Sequence, residues 1–304
     1  MTLSQPKSKK RAISGWIVLN KPYDFTSTQA VGKVRWLLSA AKAGHAGTLD
    51  PLATGILPIA LGEATKAVPQ VQDGIKIYRF AIGWGRATTT DDTEGEVIAT
   101  SDVRPDGAAL EAVLPRFTGT IMQRPPAFSA IKVDGERAYD LARAGEKVEL
   151  AARPIDIDGI TLVEHGAEES VLEVTCGKGT YVRSLARDIA EALGTVGHVT
   201  RLHRAAVGPF TDADAVTIDQ LEAAEAGEQR DALIKPVSAG LAGVPEIRLD
   251  AGQANAVGHG NAVLLTGSGA PVSLDECWVS FKGKVLATGA VQFGQFQPGR
   301  VFNL

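Results

Sequence analysis

The sequence predicts an α+β protein: a mainly antiparallel mixed sheet flanked by helices, with a small β-rich domain at the C-terminal end. Two observations predict it. Strand-like and helix-like segments mix without strict β-α-β alternation, which disfavours a doubly wound parallel sheet. Past about residue 240 the chain changes to glycine, valine and short alternating runs such as "ECWVSFKGKVLATGAVQF" (276–293), the pattern of short strands joined by turns. A chain of 304 residues is long enough for a larger domain with a small one appended.

Residues 1–12 are polar and basic with no apolar period, and read as a disordered tail. "GWIVLNKP" (15–22) is a strand stopped by Pro22. "STQAVGKVRWLL" (27–38) reads as a helix with Ser27 as its cap and Val31, Val34, Leu37 and Leu38 on one face. "ILPIAL" (56–61) and "IYRFAIGW" (77–84) read as strands. "TTTDDTEGEV" (88–97) reads as a solvated polar loop, because its acids lack the ligand spacing of a calcium loop. Residues 123–148 begin at a Pro-Pro break, offer a short strand, turn at Asp134-Gly135 and continue into a short helix ending at Gly145, which suggests an inserted lobe. Strands over 154–165 and 170–177, a helix from Thr180 to Leu193 and a strand over 198–210 complete the larger part. The expected domains are therefore 13–240 and 245–304, joined through "AGLAGVP" (239–245).

Apolar residues make up 44% and charged residues 22%, the composition of a soluble globular protein. No apolar run approaches the roughly 20 residues of a bilayer span, and the basic N-terminus lacks the apolar stretch of a secretory signal. A cytoplasmic protein without membrane attachment is expected. Cys176 and Cys277 are too few and too far apart for a disulfide framework or zinc cluster. Cys176 reads as a buried hydrophobe unless a base partner makes it a nucleophile. Net charge is −4, but residues 1–49 carry +7 and residues 205–304 carry −5. A polyanion could bind the basic part, since such fields act within a Debye length of about 8–10 Å. The alternative is a basic tail with solvated helix faces.

The chemistry-bearing stretch is "GHAGTLDPLATG" (44–55). Asp50 before Pro51 is a helix-capping arrangement that Gly55 could end, and locally this competes with a reactive carboxylate. Gly44 and Gly47 flank His45 and permit close approach of the backbone. Pro51 biases Asp50 away from the α region. In "KGTYVRSLARDIAEAL" (178–193) an apolar stripe puts Arg183 at its border in the first helical turn, against the helix dipole. A carboxylate such as Asp50 would offset that cost; a solvent-facing arginine remains the alternative. Alternation in "IYRFAIGW" puts Tyr78 on the side of Phe80, Ile82 and Trp84, either as a core tyrosine or as a stacking platform for a planar base.

Together "LNKPYDFTS", "GHAGTLDPLATGILPIALGEATK", "KIYRF", "PPAFSAIKVDGERAYDLARAGE", "GKGTYVRSLARDIAEALG" and "HVTRLHRAAVGPF" resemble, in order, segments of the TruB family of tRNA pseudouridine synthases, over residues 14–210. The resemblance implies isomerisation of the uridine at position 55 of the tRNA T-loop. It makes Asp50 the nucleophile, Tyr78 the residue stacked on the target base and Arg183 the partner of the Asp50 carboxylate. His45 then supports the flipped nucleotide, while Lys21, Tyr181 and Leu202 match positions of the uridine pocket. The lobe at 123–148 is similar to the segment that closes over RNA, and 245–304 stands where the family has a PUA-like RNA-binding domain. No cofactor and no metal are expected, because nothing is oxidised and no group is carried away. The partner is the T-arm stem-loop of tRNA; no obligate protein partner is implied and a monomer is expected. An RNA-binding module without chemistry and an aspartyl-phosphate phosphotransferase are the rival classes.

Overall fold

The computed structural model describes residues 10–129, 131–133, 136–139 and 150–304. Most of the expected tail, the Asp134-Gly135 turn and the helix expected to end at Gly145 lie outside the described residues. The architecture is α+β, as expected, and separates into two compact units. One comprises residues up to Pro51, Gly55–Gly74 and Val207–Leu304; the other comprises Leu52–Thr54 and Ile75–Ala206.

In the first unit, β1 (Gly15–Lys21) pairs antiparallel with β3 (Thr54–Leu61), in register from Gly15 opposite Leu61 to Lys21 opposite Gly55. The short β2 (Ala43–His45) also pairs with β3, placing His45 opposite Ile59. Trp16, Ile17, Val18 and Leu19 are all buried, which explains an unbroken apolar run where a half-exposed strand would alternate. Helix α1 (Ser27–Leu37) buries Ala30, Val34 and Leu37. Its cap is Thr26 rather than Ser27: Thr26 Oγ1 accepts from the Gln29 amide at 3.1 Å and Gln29 Oε1 accepts from the Thr26 amide at 2.8 Å. This reciprocal capping box starts one residue earlier than the expected cap. A 3-10 turn (Gly62–Ala67) and α2 (Val68–Asp73) follow β3.

The second unit is built on a sheet in the order β12–β4–β11–β10–β7. Its strands are β4 (Lys76–Trp84), β7 (Gly119–Gln123), β10 (Arg153–His165), β11 (Glu169–Cys176) and β12 (Gly197–Val207), with two small hairpins, β5 (Arg86–Thr88) with β6 (Val97–Thr100) and β8 (Lys132–Val133) with β9 (Glu136–Arg137). Helices α3 (Gly107–Val113) and α4 (Val182–Ala192) belong to the same unit. The apolar stripe expected on 180–193 is realised by buried Val182, Leu185, Ile189 and their neighbours.

The first unit resumes after β12 with β13 (Phe210–Thr211) and later a five-stranded sheet. That sheet has the order β14 (Glu246–Arg248), β16 (Leu274–Phe281), β17 (Lys284–Gln292), β18 (Gln295–Val301) and β15 (Val263–Leu264). It has a core of its own around Val257, Cys277, Val279, Val291 and Phe296. Trp278, Val285 and Phe302 instead join Trp16, Val18, Ile56 and Phe210 in a shared core. Part of the expected joining segment is packed: Val237–Leu241 is a 3-10 helix, and the Trp16 indole donates to Val237 O at 3.2 Å. A Cβ on Gly240 would lie 2.6 Å from the Trp16 ring. Gly240→Ala is therefore expected to cost about 1–3 kcal/mol of stability by overpacking, read as a lower midpoint in urea denaturation.

The charge asymmetry resolves inside this unit. Arg11 bridges Asp231, with Nη1 donating to Oδ1 at 2.9 Å, and this bond holds the Asp231 carboxyl below its usual range. Lys33 pairs with Glu222. Arg35 donates to the carbonyls of Ala40 at 3.3 Å and Ala41 at 3.1 Å, and Lys21 is buried. Two of the basic residues of the N-terminal part, Arg11 and Lys33, thus meet acids of the C-terminal part. Of the two readings left open by the charge pattern, these contacts bear on Arg11, Lys21, Lys33 and Arg35, while Lys10 and Lys42 are exposed.

Candidate active site

The stretch 44–55 leaves β2, turns and enters β3. Ala46 N donates to Pro58 O at 2.9 Å, and Gly47 and Gly55 take φ of +101° and +98°, a region where side chains are rarely accommodated. Asp50-Pro51 opens a turn at 51–52, and β3 begins at Thr54 without an intervening helix. The capping reading therefore holds only as a turn.

Two buried side chains hold this turn from either side of Asp50. Lys21 is 0% exposed, and its ammonium donates to the carbonyls of Phe25 at 2.6 Å, Pro22 at 2.9 Å and Pro51 at 3.0 Å. All three donors of a buried cation are thereby satisfied. Ser27 Oγ accepts from Leu49 N at 2.9 Å and donates to Leu49 O at 3.0 Å. Asp50 itself is half-buried. Lys21 and Asp50, expected in one pocket, are thus neighbours through Pro51, while His45 is half-buried at the end of β2.

The second unit carries the other expected residues. Tyr78 is half-buried on β4 opposite Val174 of β11, and Leu202 is buried on the neighbouring β12. Phe80 through Trp84 are buried on both faces, so alternation does not set a single apolar side there; Tyr78 stands at the more open end. Thr54, from the end of the 44–55 stretch, donates to Leu202 O at 3.4 Å and lies 2.9 Å from His203 Nδ1.

Tyr181 precedes the first turn of α4, and Gln123 clamps its backbone: Tyr181 N donates to Oε1 at 2.9 Å and Nε2 donates to Tyr181 O at 3.1 Å. The Arg153 guanidinium lies 5.3 Å from the Tyr181 ring centre. Arg183 is 5% exposed, which removes the alternative of a solvent-facing arginine. Its Nη1 donates to Thr90 O at 2.9 Å, its Nη2 donates to Phe128 O at 3.1 Å, and it pairs with Asp92 at 3.5 Å.

The stretch 88–97 is exposed or half-buried over most of its length, as expected of a solvated loop, but Asp92 is an exception. It is 1% exposed, and its Oδ1 accepts from Thr90 Oγ1 at 2.5 Å and from Glu94 N at 2.9 Å. Asp91 pairs with Arg187 at 2.8 Å, and Arg187 also meets Asp188 at 2.8 Å and donates to Arg124 O at 3.0 Å. Burial pushes the Asp91 and Asp188 carboxyls up even beside that guanidinium. The acids face inward because α4 presents two buried or half-buried arginines to them, a relation of residues some ninety positions apart that local polarity does not signal. Asp92, Gln123 and the loop-holding role of Ser27 were missed for the same reason. Cys176 is buried, and burial pushes its thiol up to about 11, which fits the buried hydrophobe rather than the nucleophile.

Comparison with known proteins agrees with the ordered motifs. The model of the TruB family pseudouridylate synthase N-terminal domain matches residues 35–182, and that of the tRNA pseudouridylate synthase B C-terminal domain matches 183–242. The chain is 51% identical to "tRNA pseudouridine synthase B" of Mesorhizobium japonicum, covering 97% of this chain and 98% of that protein. It is likewise 51% identical to the protein of that name from Brucella ovis, over 98% of both chains. Among solved structures, "Crystal Structure of a Cbf5-Nop10-Gar1 Complex" contains a similar chain with TM-score 0.73 and 25% identity, covering 95% of this chain and 84% of that one. The agreement of matched domains, near-complete coverage and common fold shows that the chain belongs to the TruB family of pseudouridylate synthases.

Proposed function

We propose that this chain isomerises the uridine at position 55 of the tRNA T-loop to pseudouridine, with Asp50 as covalent nucleophile. The observation that carries the reading is the fixed turn at Asp50: Lys21 and Ser27 hold the backbone on both sides of a half-buried carboxylate, inside the stretch that resembles the family's catalytic motif. The reaction breaks N1–C1′, turns the uracil and joins C5 to C1′, so one carboxylate serves as covalent catalyst and no cofactor is consumed.

Arg183 is assigned the cation that favours the ionised carboxylate, and its guanidinium is already oriented by Asp92 and two carbonyls. Tyr78 is assigned the stacking face, with Lys21, Tyr181 and Leu202 around the uridine and His45 supporting the flipped nucleotide. Extruding a base costs a few kcal/mol, and stacking returns about 1–3 kcal/mol of it. Residues 13–240 form the catalytic part in this reading, 123–148 the segment that closes over RNA, and 245–304 a PUA-like RNA-binding domain. The enzyme acts in the cytoplasm as a monomer on the T arm of tRNA.

The test is incubation of the purified chain with a T-arm stem-loop RNA, followed by pseudouridine mapping. Conversion of the single target uridine, undiminished in excess EDTA, is the expected result. Tight binding with unmodified RNA would leave an RNA-binding module without chemistry, and dependence on Mg²⁺ would favour phosphotransfer.

A further inference from the structure

Ser27 is the first residue of α1, a position where a hydroxyl often serves the helix end. Here it does not. Thr26 supplies the cap through its exchange with Gln29, and the Ser27 hydroxyl is directed to Leu49, twenty-two residues along the chain. It is 4% exposed, and it both accepts from the Leu49 amide at 2.9 Å and donates to the Leu49 carbonyl at 3.0 Å. That carbonyl belongs to the peptide whose nitrogen is Asp50's own. Rotation of that peptide, which would swing the Asp50 Cα–Cβ bond, breaks the Ser27 bond. On the far side of Asp50, Pro51 O is held by Lys21 at 3.0 Å.

We infer that Ser27 is a positioning residue for the nucleophile: its hydroxyl, through the backbone of Leu49, fixes the direction in which the Asp50 carboxylate leaves the turn. The inference rests on the reading of Asp50 as nucleophile. Covalent attack needs the reacting atoms within a narrow range of distance and angle, and a misplacement of about 1 Å costs on the order of 10²-fold in rate. Alanine at position 27 leaves a buried amide and a buried carbonyl at Leu49 without their shared partner, and the turn then settles for geometry that satisfies them rather than geometry that aims Asp50.

The experiment compares Ser27→Ala, Ser27→Thr and Thr26→Ala in steady-state assays on the T-arm stem-loop, with thermal unfolding measured alongside. Ser27→Ala is expected to lower kcat by about 10–100-fold while KM stays within about threefold, because RNA binding does not depend on the direction of one carboxylate. Ser27→Thr, which keeps the hydroxyl, restores most of the rate. Thr26→Ala loses the true helix cap, so its Tm falls while its kcat stays at the wild-type value. A Ser27→Ala enzyme with wild-type kcat overturns the inference, as does a Thr26→Ala enzyme that loses kcat equally, since the effect would then be one of helix stability. Should Ser27→Ala not fold, Ser27→Cys replaces it: a reduced kcat from the weakly bonding thiol supports the inference and an undiminished kcat overturns it. Absence of pseudouridine with the unaltered chain rejects the catalytic reading itself, an outcome distinct from an active enzyme indifferent to position 27.

Discussion

Asp50→Asn is expected to abolish pseudouridine formation while leaving tRNA binding within about tenfold of the unaltered chain. The substitution replaces one carboxylate oxygen by an amide nitrogen of nearly the same size, so the turn can persist. Its backbone is held by the Lys21 ammonium at Pro51 O and by the Ser27 hydroxyl at Leu49, neither of which uses the Asp50 side chain. Gly47 and Gly55 keep their left-handed conformations whatever stands at position 50. Stability should change by about 1 kcal/mol, since the amide keeps the size of the half-buried side chain. Chemistry is another matter, because a neutral amide is a poor nucleophile; a loss of at least about 10³-fold in kcat follows for a group that acts only in the chemical step. Single-turnover assays on the stem-loop with mapped product check the rate, and filter binding checks the affinity. Retained isomerisation would move the nucleophile elsewhere and return Asp50 to a turn residue.

What could be read from sequence divides along a physical line. The strands and helices were legible because periodicity and apolar runs are local: "WIVL" is unbroken since β1 is buried on both faces, and the stripe of Val182, Leu185 and Ile189 falls on one side of α4. The 44–55 stretch was legible because glycines, Asp-Pro and family order coincide in one short segment. Charge partners distant in sequence are not legible locally. Nothing near Arg11 and Lys33 in sequence announces Asp231 and Glu222, and nothing near Asp92 announces Arg183 of α4. Ser27 was misread by one position, since Ser and Thr side by side are equally good caps and only the location of Leu49 separates their roles.

Arg183→Lys is the second large effect, expected to lower kcat by about 10²-fold although the positive charge is retained. The engagements of the guanidinium include Thr90 O and Asp92 through Nη1 and Phe128 O through Nη2, in different directions. A lysine ammonium is a single point on a shorter reach and cannot span carbonyls on two separate segments in that planar fork. Asp92 does not become an orphan, because Thr90 Oγ1 and the Glu94 amide still donate to it, so charge balance and folding survive. Stability is expected to fall by about 1–3 kcal/mol through the lost buried hydrogen bonds. Arg187→Lys, one turn along α4, provides the contrast. Arg187 is more exposed, and its pairing with Asp91 and Asp188 takes no part in the proposed chemistry; its replacement should cost stability with kcat within about threefold. Equal kcat losses in the two variants would assign both arginines to the integrity of α4. A loss of kcat confined to position 183, at a loss of stability equal to that of Arg187→Lys, ties the buried guanidinium to the chemical step rather than to the integrity of α4.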